Sequence, residues 1–261
     1  MVLTPAETLA VMPMRPDISD VVIEDDEPVD SLYSEKLQRL LTSALYASFQ
    51  PGMPFLATAN VGLFYTLKAP PLVPDVMVSL EVSSPENFER KEDRTYFVWE
   101  MGKPPDVVIE IVSNRKGREL GRKLRDYAHA GVSYYIVYDP LHQLTELQGL
   151  SLAIFERVGT ELRPYEATWM PKVGLGLTLW NGAYEGVTVE WLRWCDEAGN
   201  LLLTGEEQAE QERQRTETER QRTETERQRA ETERQRAETE RQRADHYLHL
   251  LQEHGINLPE S

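Results

Sequence analysis

Residues 104–140, PPDVVIEIVSNRKGRELGRKLRDYAHAGVSYYIVYDP, decide the fold, because they predict a strand, a helix and a second strand in succession. The run VVIEIV over residues 107–112 is rich in β-branched side chains, as is typical of a strand buried on both faces of a sheet. One carboxylate, Glu110, lies inside this run, and an unpaired buried carboxylate is costly. We therefore expect Glu110 to be ion-paired, hydrogen-bonded or bound to a metal.

A helix is predicted after this strand, over residues 118–129. Its apolar residues recur three or four positions apart, which places them on one helical face. They are Leu120, Leu124, Tyr127 and Ala128. Gly131 is expected to end the helix as a C-cap, and residues 134–138, YYIVY, predict a second buried strand that ends at Asp139-Pro140. The whole segment predicts a strand–helix–strand unit at the centre of an α/β domain.

The chain before this unit predicts a lead-in, a helix and more strands. Residues 1–30 are rich in proline and acidic side chains, and we expect them to be weakly ordered. Residues 32–49 predict a helix with an apolar stripe of leucine and alanine. Strand-like patterns follow at 55–67 and 76–80, and Asp75 lies at the entry of the second of these strands.

Four short segments after the central unit predict antiparallel strands that cover a parallel core. They are residues 150–156, 161–166, 176–180 and 187–194. Val158-Gly159 and Asn181-Gly182 are predicted to be turns between them. The core domain is therefore expected to span residues 31–204.

From Glu212 the sequence repeats every seven residues, as ERQRTET, ERQRTET, ERQRAET, ERQRAET and ERQRADH. A stable coiled coil needs apolar side chains at two positions of each heptad, and the best candidates here are only threonine or alanine. Oppositely charged pairs at helical spacing, such as Arg213 with Glu217, each stabilise a single helix by about 0.2–0.5 kcal/mol. Residues 205–261 therefore predict an isolated charged helix, and a weak, partner-dependent coiled coil is the open alternative. An apolar end, which we expect to dock on a protein partner, comprises Tyr247, Leu248, Leu250, Leu251, Ile256 and Leu258.

The 261-residue chain is acidic, with a formal net charge of −16. Residues 206–261 hold 15 acidic and 10 basic side chains, so the first 205 residues are acidic in their own right. This balance disfavours tight nonspecific binding to nucleic acid, which depends on Lys and Arg neutralising phosphates. It still allows a local basic rim around a site.

Several function classes are excluded by missing motifs. Cys195 is the single cysteine, so neither a disulfide framework nor a cysteine zinc site is expected. The sequence has no glycine-rich loop for phosphates and no nucleophile elbow. It also lacks an apolar run long enough for a membrane span and the pattern of a signal peptide. We expect a soluble cytoplasmic protein that makes no membrane contact.

Two acidic residues, Asp75 and Glu110, lie on apolar strands. Carboxylates on neighbouring strands can hold a hard divalent cation such as Mg2+, which prefers oxygen ligands and keeps waters for a substrate phosphate. Such a cation can activate a water and stabilise charge on a phosphoryl oxygen. Lys123, four residues before Tyr127 on the predicted helix, can position the nucleophile or neutralise the transition state.

Asp75 in a Pro-Asp dipeptide, Glu110 on the next core strand and the segment GRKLRDYAHAGVSYYIVYDP together resemble the putative restriction endonuclease family abundant in cyanobacterial genomes. This family belongs to the PD-(D/E)XK nuclease superfamily, and the likeness covers residues 30–195. It implies a restriction-endonuclease-like α/β core with a mixed sheet flanked by helices. It also implies hydrolysis of DNA phosphodiester bonds with Mg2+, or with Mn2+ as the alternative ion. By position, Asp75 and Glu110 would bind the metal and Lys123 would complete the catalytic set.

Some assignments stay open. The usual superfamily motif places the lysine two residues after the second acid, where this chain has Val112, so Lys116 is the substitute candidate for Lys123. Glu35 on the first helix can supply an additional acid. Taken singly, an aspartate at a strand start is more often a turn former, and a lysine on a helix is more often only solvated.

Two functions follow from these observations. A Mg2+-dependent DNA endonuclease is expected to act as a homodimer, because cleavage of a duplex needs two active sites. The alternative is a catalytically weak or inactive nuclease-fold module that acts through its C-terminal helix. The acidic charge and the long repeat favour the module, whereas the complete set of Asp, Glu and Lys favours the nuclease.

Overall fold

The computed structural model describes Asp17, residues 31–113 and residues 119–253. The chain divides into two units, one ending at Gly205 and the other beginning at Glu206. The helices are α1 (Leu32–Ser48), α2 (Val98–Met101), α3 (Leu124–Ala130) and α4 (Gly205–Glu253). The strands are β1 (Phe55–Ala59), β2 (Leu63–Phe64), β3 (Val76–Leu80), β4 (Tyr96–Phe97), β5 (Val107–Ile111), β6 (Tyr134–Tyr138), β7 (Leu152–Val158), β8 (Glu161–Tyr165), β9 (Trp169–Met170), β10 (Leu175–Tyr184) and β11 (Val187–Cys195).

A six-stranded mixed sheet forms the centre of the first unit, in the order β1-β3-β5-β6-β7-β8. Only β5 and β6 run parallel, and α3 lies in the connection between them. The other neighbouring pairs are antiparallel. Every residue of β3, β5 and β6 is buried, as their β-branched and aromatic content predicts. The predicted α/β class with a mixed central sheet and flanking helices is confirmed.

The residues of β5 alternate between two hydrophobic cores. Val107, Ile109 and Ile111 belong to the core that contains the apolar stripe of α1. Val108, and Val112 directly after the strand, belong to the core that contains Tyr127 of α3. Because side chains of a strand alternate between its faces, Glu110 is directed toward the α3 side of the sheet. This alternation brings the one acidic residue of the strand to the helix that follows it.

Helix α1 follows the predicted pattern. Ser31 is its N-cap, since its side-chain oxygen accepts a hydrogen bond from the backbone N–H of Ser34. The buried apolar face comprises Leu37, Leu40, Leu41, Ala44 and Leu45. The indole Nε1–H of Trp194 in β11 donates to the Leu41 carbonyl over 3.0 Å, which ties a second, three-stranded sheet to this helix.

Two details of the predicted strands are wrong. Strands β7 and β8 extend the central sheet instead of covering it, because each pairs edge to edge with its neighbour. Asn181-Gly182 is not a turn, since both residues pair within the β10–β11 ladder. The turn is at Glu185-Gly186, whose φ angles of 44° and 76° suit a tight hairpin. A Cβ on residue 182 would overlap the indole of Trp180, so the glycine makes room for a side chain.

Helix α4 is 49 residues long and almost wholly exposed, and it contains the charged repeat. This confirms the predicted long C-terminal helix, while its association into a coiled coil stays a prediction. Among the residues that the structure describes, no helix is long and apolar enough to cross a membrane.

We predict that Leu37→Ala lowers the free energy of unfolding by about 2–5 kcal/mol, because it leaves a cavity in the core below α1. Leu37 is 0 % exposed, whereas Leu32 on the same helix is 84 % exposed. The matched control Leu32→Ala should change stability by less than about 0.5 kcal/mol. Urea unfolding of both variants tests this, and equal losses would show that α1 does not pack as described.

Candidate active site

Asp75 and Glu110 lie on neighbouring parts of the central sheet. Strands β3 and β5 are antiparallel with Val76 opposite Ile109, so the same register continued by one residue places Asp75 opposite Glu110. The backbone N–H of Ile111 donates to Asp75 Oδ2 over 2.6 Å. Asp75 is buried. The structure thus brings together the two carboxylates that the sequence singled out.

Both oxygens of Glu110 are occupied by side chains of the following helical segment. The Tyr127 hydroxyl donates to Oε1 over 2.5 Å, and the Lys123 ammonium lies 2.6 Å from Oε2. Glu110 is only 2 % exposed, so these two contacts are the compensation that a buried carboxylate requires. Lys123, the third residue singled out in the sequence, therefore lies against Glu110.

The spacing of Lys123 and Tyr127 explains why both reach one carboxylate. Residues four apart lie on the same face of a helix. A π-helical turn, Glu119–Lys123, leads directly into α3 and is anchored by the Tyr135 hydroxyl, which donates to the Glu119 carbonyl over 3.1 Å. The ring of Tyr127 also stacks on that of Tyr135, with centroids 5.0 Å apart. Wide turns of this type are frequent at functional sites.

Burial controls the ionisation of these groups. It raises the pKa of Glu110, and the nearby Lys123 and the hydrogen bonds from Lys123 and Tyr127 oppose that rise only in part. Burial lowers the pKa of Lys123, but the charge of Glu110, the hydrogen bond to it and the charges of Glu119 and Asp75 together outweigh burial, so the pKa of Lys123 is raised. Burial and the charge of Glu110 raise the pKa of Tyr127 well above its usual value. Lys123 and Tyr127 therefore keep their protons and act as donors to Glu110 at neutral pH.

Gln38 of α1 is a site residue that the sequence analysis missed. Its Nε2 donates to Asp75 Oδ1 over 2.8 Å, and its Oε1 accepts a hydrogen bond from Asn60 Nδ2 over 2.9 Å. Gln38 is buried beside Leu37 and Leu41. The sequence signal that could have identified Gln38 is its position as an amide among the apolar residues of α1. The hydroxyl of Tyr127 was missed as well, because its helical position also fits a purely apolar role.

Glu35, the additional acid considered in the sequence, is engaged by a residue of its own helix. The carboxylate of Glu35 pairs with Arg39 at 2.7 Å on an exposed part of α1. The residue of α1 that contacts Asp75 is Gln38. Asp106 accepts the backbone N–H of Leu80 over 2.8 Å and pairs with Lys103 at 2.7 Å, as suits a strand-entry residue. Lys116 lies outside the described residues.

The donor set suits a hard divalent cation that keeps much of its own water. Within the described ranges, no three His, Cys, Asp or Glu side chains are grouped closely enough to hold a metal. Asp75 and Glu110 instead offer two carboxylates. Mg2+ is commonly bound through one or two carboxylates, with waters and substrate phosphates as its other ligands. The two residues therefore fit Mg2+ or Mn2+ better than a metal that needs a complete cage of protein ligands.

A comparison with protein-family models matches residues 20–183 to Uma2, described as "Putative restriction endonuclease". The chain belongs to the Uma2 family. The Uma2 match includes Asp75, Glu110 and Lys123, and it confirms the family resemblance seen in the sequence.

A solved structure, a putative nuclease belonging to DUF820 from Anabaena variabilis, is also similar to the chain. It is 14% identical, with a TM-score of 0.38, and the alignment covers 55% of this chain and 72% of that one. No curated protein matches the chain.

We predict that Tyr127→Phe destabilises the protein by about 1–3 kcal/mol, because it removes one donor from a buried carboxylate and leaves Oε1 unsatisfied. Tyr127 is 1 % exposed. Tyr247→Phe, at an exposed tyrosine of α4, is the matched control. Urea unfolding measures both. A Tyr127→Phe variant as stable as the control would mean that the hydroxyl does not support Glu110.

Proposed function

We propose that this chain is a metal-dependent endonuclease that hydrolyses DNA phosphodiester bonds. The observation that carries the proposal is the assembly of Asp75, Glu110 and Lys123 at one place, on two adjacent strands and the helical segment that follows. The membership of the chain in a family described as restriction endonucleases supports the reaction class.

Asp75 and Glu110 would hold Mg2+, or Mn2+ in its place. When bound, the cation would supply a polarised water as nucleophile and stabilise negative charge on the phosphate. The protein's share is to fix the two carboxylates. Gln38 and the backbone N–H of Ile111 orient Asp75, while Tyr127 orients Glu110.

Lys123 would act on the phosphate or on the attacking water. Its side chain is 35 % exposed, so its ammonium can reach a substrate at the surface as well as Glu110. An ammonium placed where negative charge develops stabilises the transition state of a phosphoryl transfer. The raised pKa of Lys123 keeps it charged for this role at neutral pH.

DNA is the proposed substrate and a homodimer the proposed working form. Cleavage of both strands needs two active sites, and one chain offers one such site. The first 205 residues are acidic, so contact with DNA would depend on local basic groups. Arg122 and Arg125 are exposed beside Lys123 on the same helical segment and suit that contact.

A second candidate is a nuclease-fold module with little or no hydrolysis that acts through α4. The observation in its favour is the exposed 49-residue helix, with large apolar side chains exposed near its end at Tyr247, Leu248 and Leu250. Such side chains suit contact with a protein partner.

We predict that the wild-type chain binds Mn2+ in a calorimetric titration and nicks supercoiled plasmid in its presence. Asp75→Asn and Glu110→Gln keep side-chain size but remove charge, so each should weaken metal binding and slow nicking by about 100-fold or more. Glu161→Gln, at an exposed carboxylate on β8, is the matched control and should behave as wild type. Glu35→Gln should also behave as wild type, because its carboxylate pairs with Arg39.

The outcomes separate the two functions. If the folded wild type neither binds Mn2+ nor nicks DNA, the nuclease is wrong and the module is favoured. If nicking persists unchanged in Asp75→Asn and Glu110→Gln, another site performs the reaction. Loss of nicking in Glu35→Gln would show that Glu35 is the additional acid of the site.

A further inference from the structure

The two oxygens of Glu110 are held by donors of different kinds. Oε1 accepts a hydrogen bond from Tyr127, a neutral donor that is 1 % exposed and fixed by stacking on Tyr135. Oε2 is paired with Lys123, a charged donor on a long side chain that is about one-third exposed. One oxygen therefore has a fixed partner, and the other has a partner that can leave.

Lys123 occupies the position on Glu110 that a cation would use. Its ammonium lies 2.6 Å from Oε2 and is the cationic partner of Glu110 among the residues that the structure describes. The register of β3 and β5 places Asp75, the other proposed metal-binding carboxylate, opposite Glu110 on the neighbouring strand. A divalent ion and an ammonium on the same carboxylate would repel each other at short range, more strongly in a buried site than in water.

Movement of Lys123 would be possible without loss of packing. Its side chain already reaches the surface, and a lysine ammonium can remain solvated when it swings outward on its flexible stem. Tyr127 has no such freedom, because it is enclosed by the core between α3 and the sheet. Glu110 would thus keep one hydrogen bond and its orientation while Oε2 changes partner.

We propose that Lys123 holds the place of the metal on Glu110 in the metal-free protein and leaves Oε2 when a divalent cation binds. This inference rests on the proposed function, since it concerns the same site. Its consequence for the reaction is that the Lys123 ammonium becomes free for a phosphate oxygen or the attacking water only once the cation is bound. Metal binding and the release of the Lys123 ammonium from Glu110 would then be coupled.

The test is a calorimetric titration of the full-length chain with Mn2+ alone. Lys123→Met removes the competing ammonium and retains a long side chain, so it should bind Mn2+ about 10-fold or more tightly than wild type. This corresponds to the loss of one charge-assisted hydrogen bond. Arg122→Met is the matched control, because Arg122 is exposed on the same turn and its removal changes the net charge equally. It should shift the affinity by no more than about twofold.

A second readout distinguishes displacement from a general charge effect. Without metal, Lys123→Met should melt at a lower temperature than wild type, because Glu110 is left buried without its cationic partner. Saturating Mn2+ should remove most of this difference and should not change the gap between Arg122→Met and wild type. If Lys123→Met does not fold without metal, Lys123→Gln, which keeps a neutral donor, replaces it and should still bind Mn2+ more tightly than wild type.

The results overturn the inference in distinguishable ways. If wild type binds Mn2+ but Lys123→Met and Lys123→Gln bind it equally or more weakly, Lys123 and the cation share the site and the displacement is wrong. The proposed nuclease then stands. If neither wild type nor these folded variants bind Mn2+, the metal site itself is wrong, and the inference falls with it.

Discussion

The buried carboxylate of Glu110 is the constraint on which the rest of the site depends. It lies within an apolar strand and is almost fully excluded from solvent, where an unpaired charge would be very costly. The fold compensates for this cost by placing Lys123, at the end of the π-helical turn, and Tyr127, four residues later in α3, over the strand. Much of the geometry of this region follows from that requirement, including the wide turn anchored by Tyr135. A strand built only for stability would have an aliphatic residue at this position.

Asp75 is the second buried carboxylate, and it too needs hydrogen-bond donors for its oxygens. Its two oxygens accept hydrogen bonds from Gln38 on α1 and from the backbone of Ile111 on β5, so one carboxylate links a helix to the central strand. Asn60 then holds Gln38. Hydrogen bonds of this kind fix a carboxylate before any ligand arrives, which is the condition for efficient metal binding and catalysis. The site is thus supported by segments that are far apart in the sequence.

The parts predicted from sequence are those that local patterns determine. The buried strands β3, β5 and β6 follow from continuous apolar runs, whereas the helix over Tyr127 and the long C-terminal helix follow from periodicity. Glu110 was evident because a charge interrupts an apolar run. Gln38 could not be assigned to the site, because its partner Asp75 is 37 residues away and no local pattern connects them. Asn181-Gly182 has the composition of a turn, but both residues pair with β11, and the glycine is needed because a Cβ would overlap the indole of Trp180.

The acidic charge of the chain and the proposed need for a metal are physically connected. An acidic domain repels DNA at long range, so phosphate must be attracted by local positive charge. Asp75, Glu110 and Lys123 comprise two acidic side chains and one basic side chain, and Lys123 is bound to Glu110. A divalent cation would reverse the sign of the site and, on the proposed exchange, also release the lysine. Binding of the cation would then both attract the phosphate of the substrate and free Lys123 for the reaction. An endonuclease organised in this way would engage DNA only when its metal is bound.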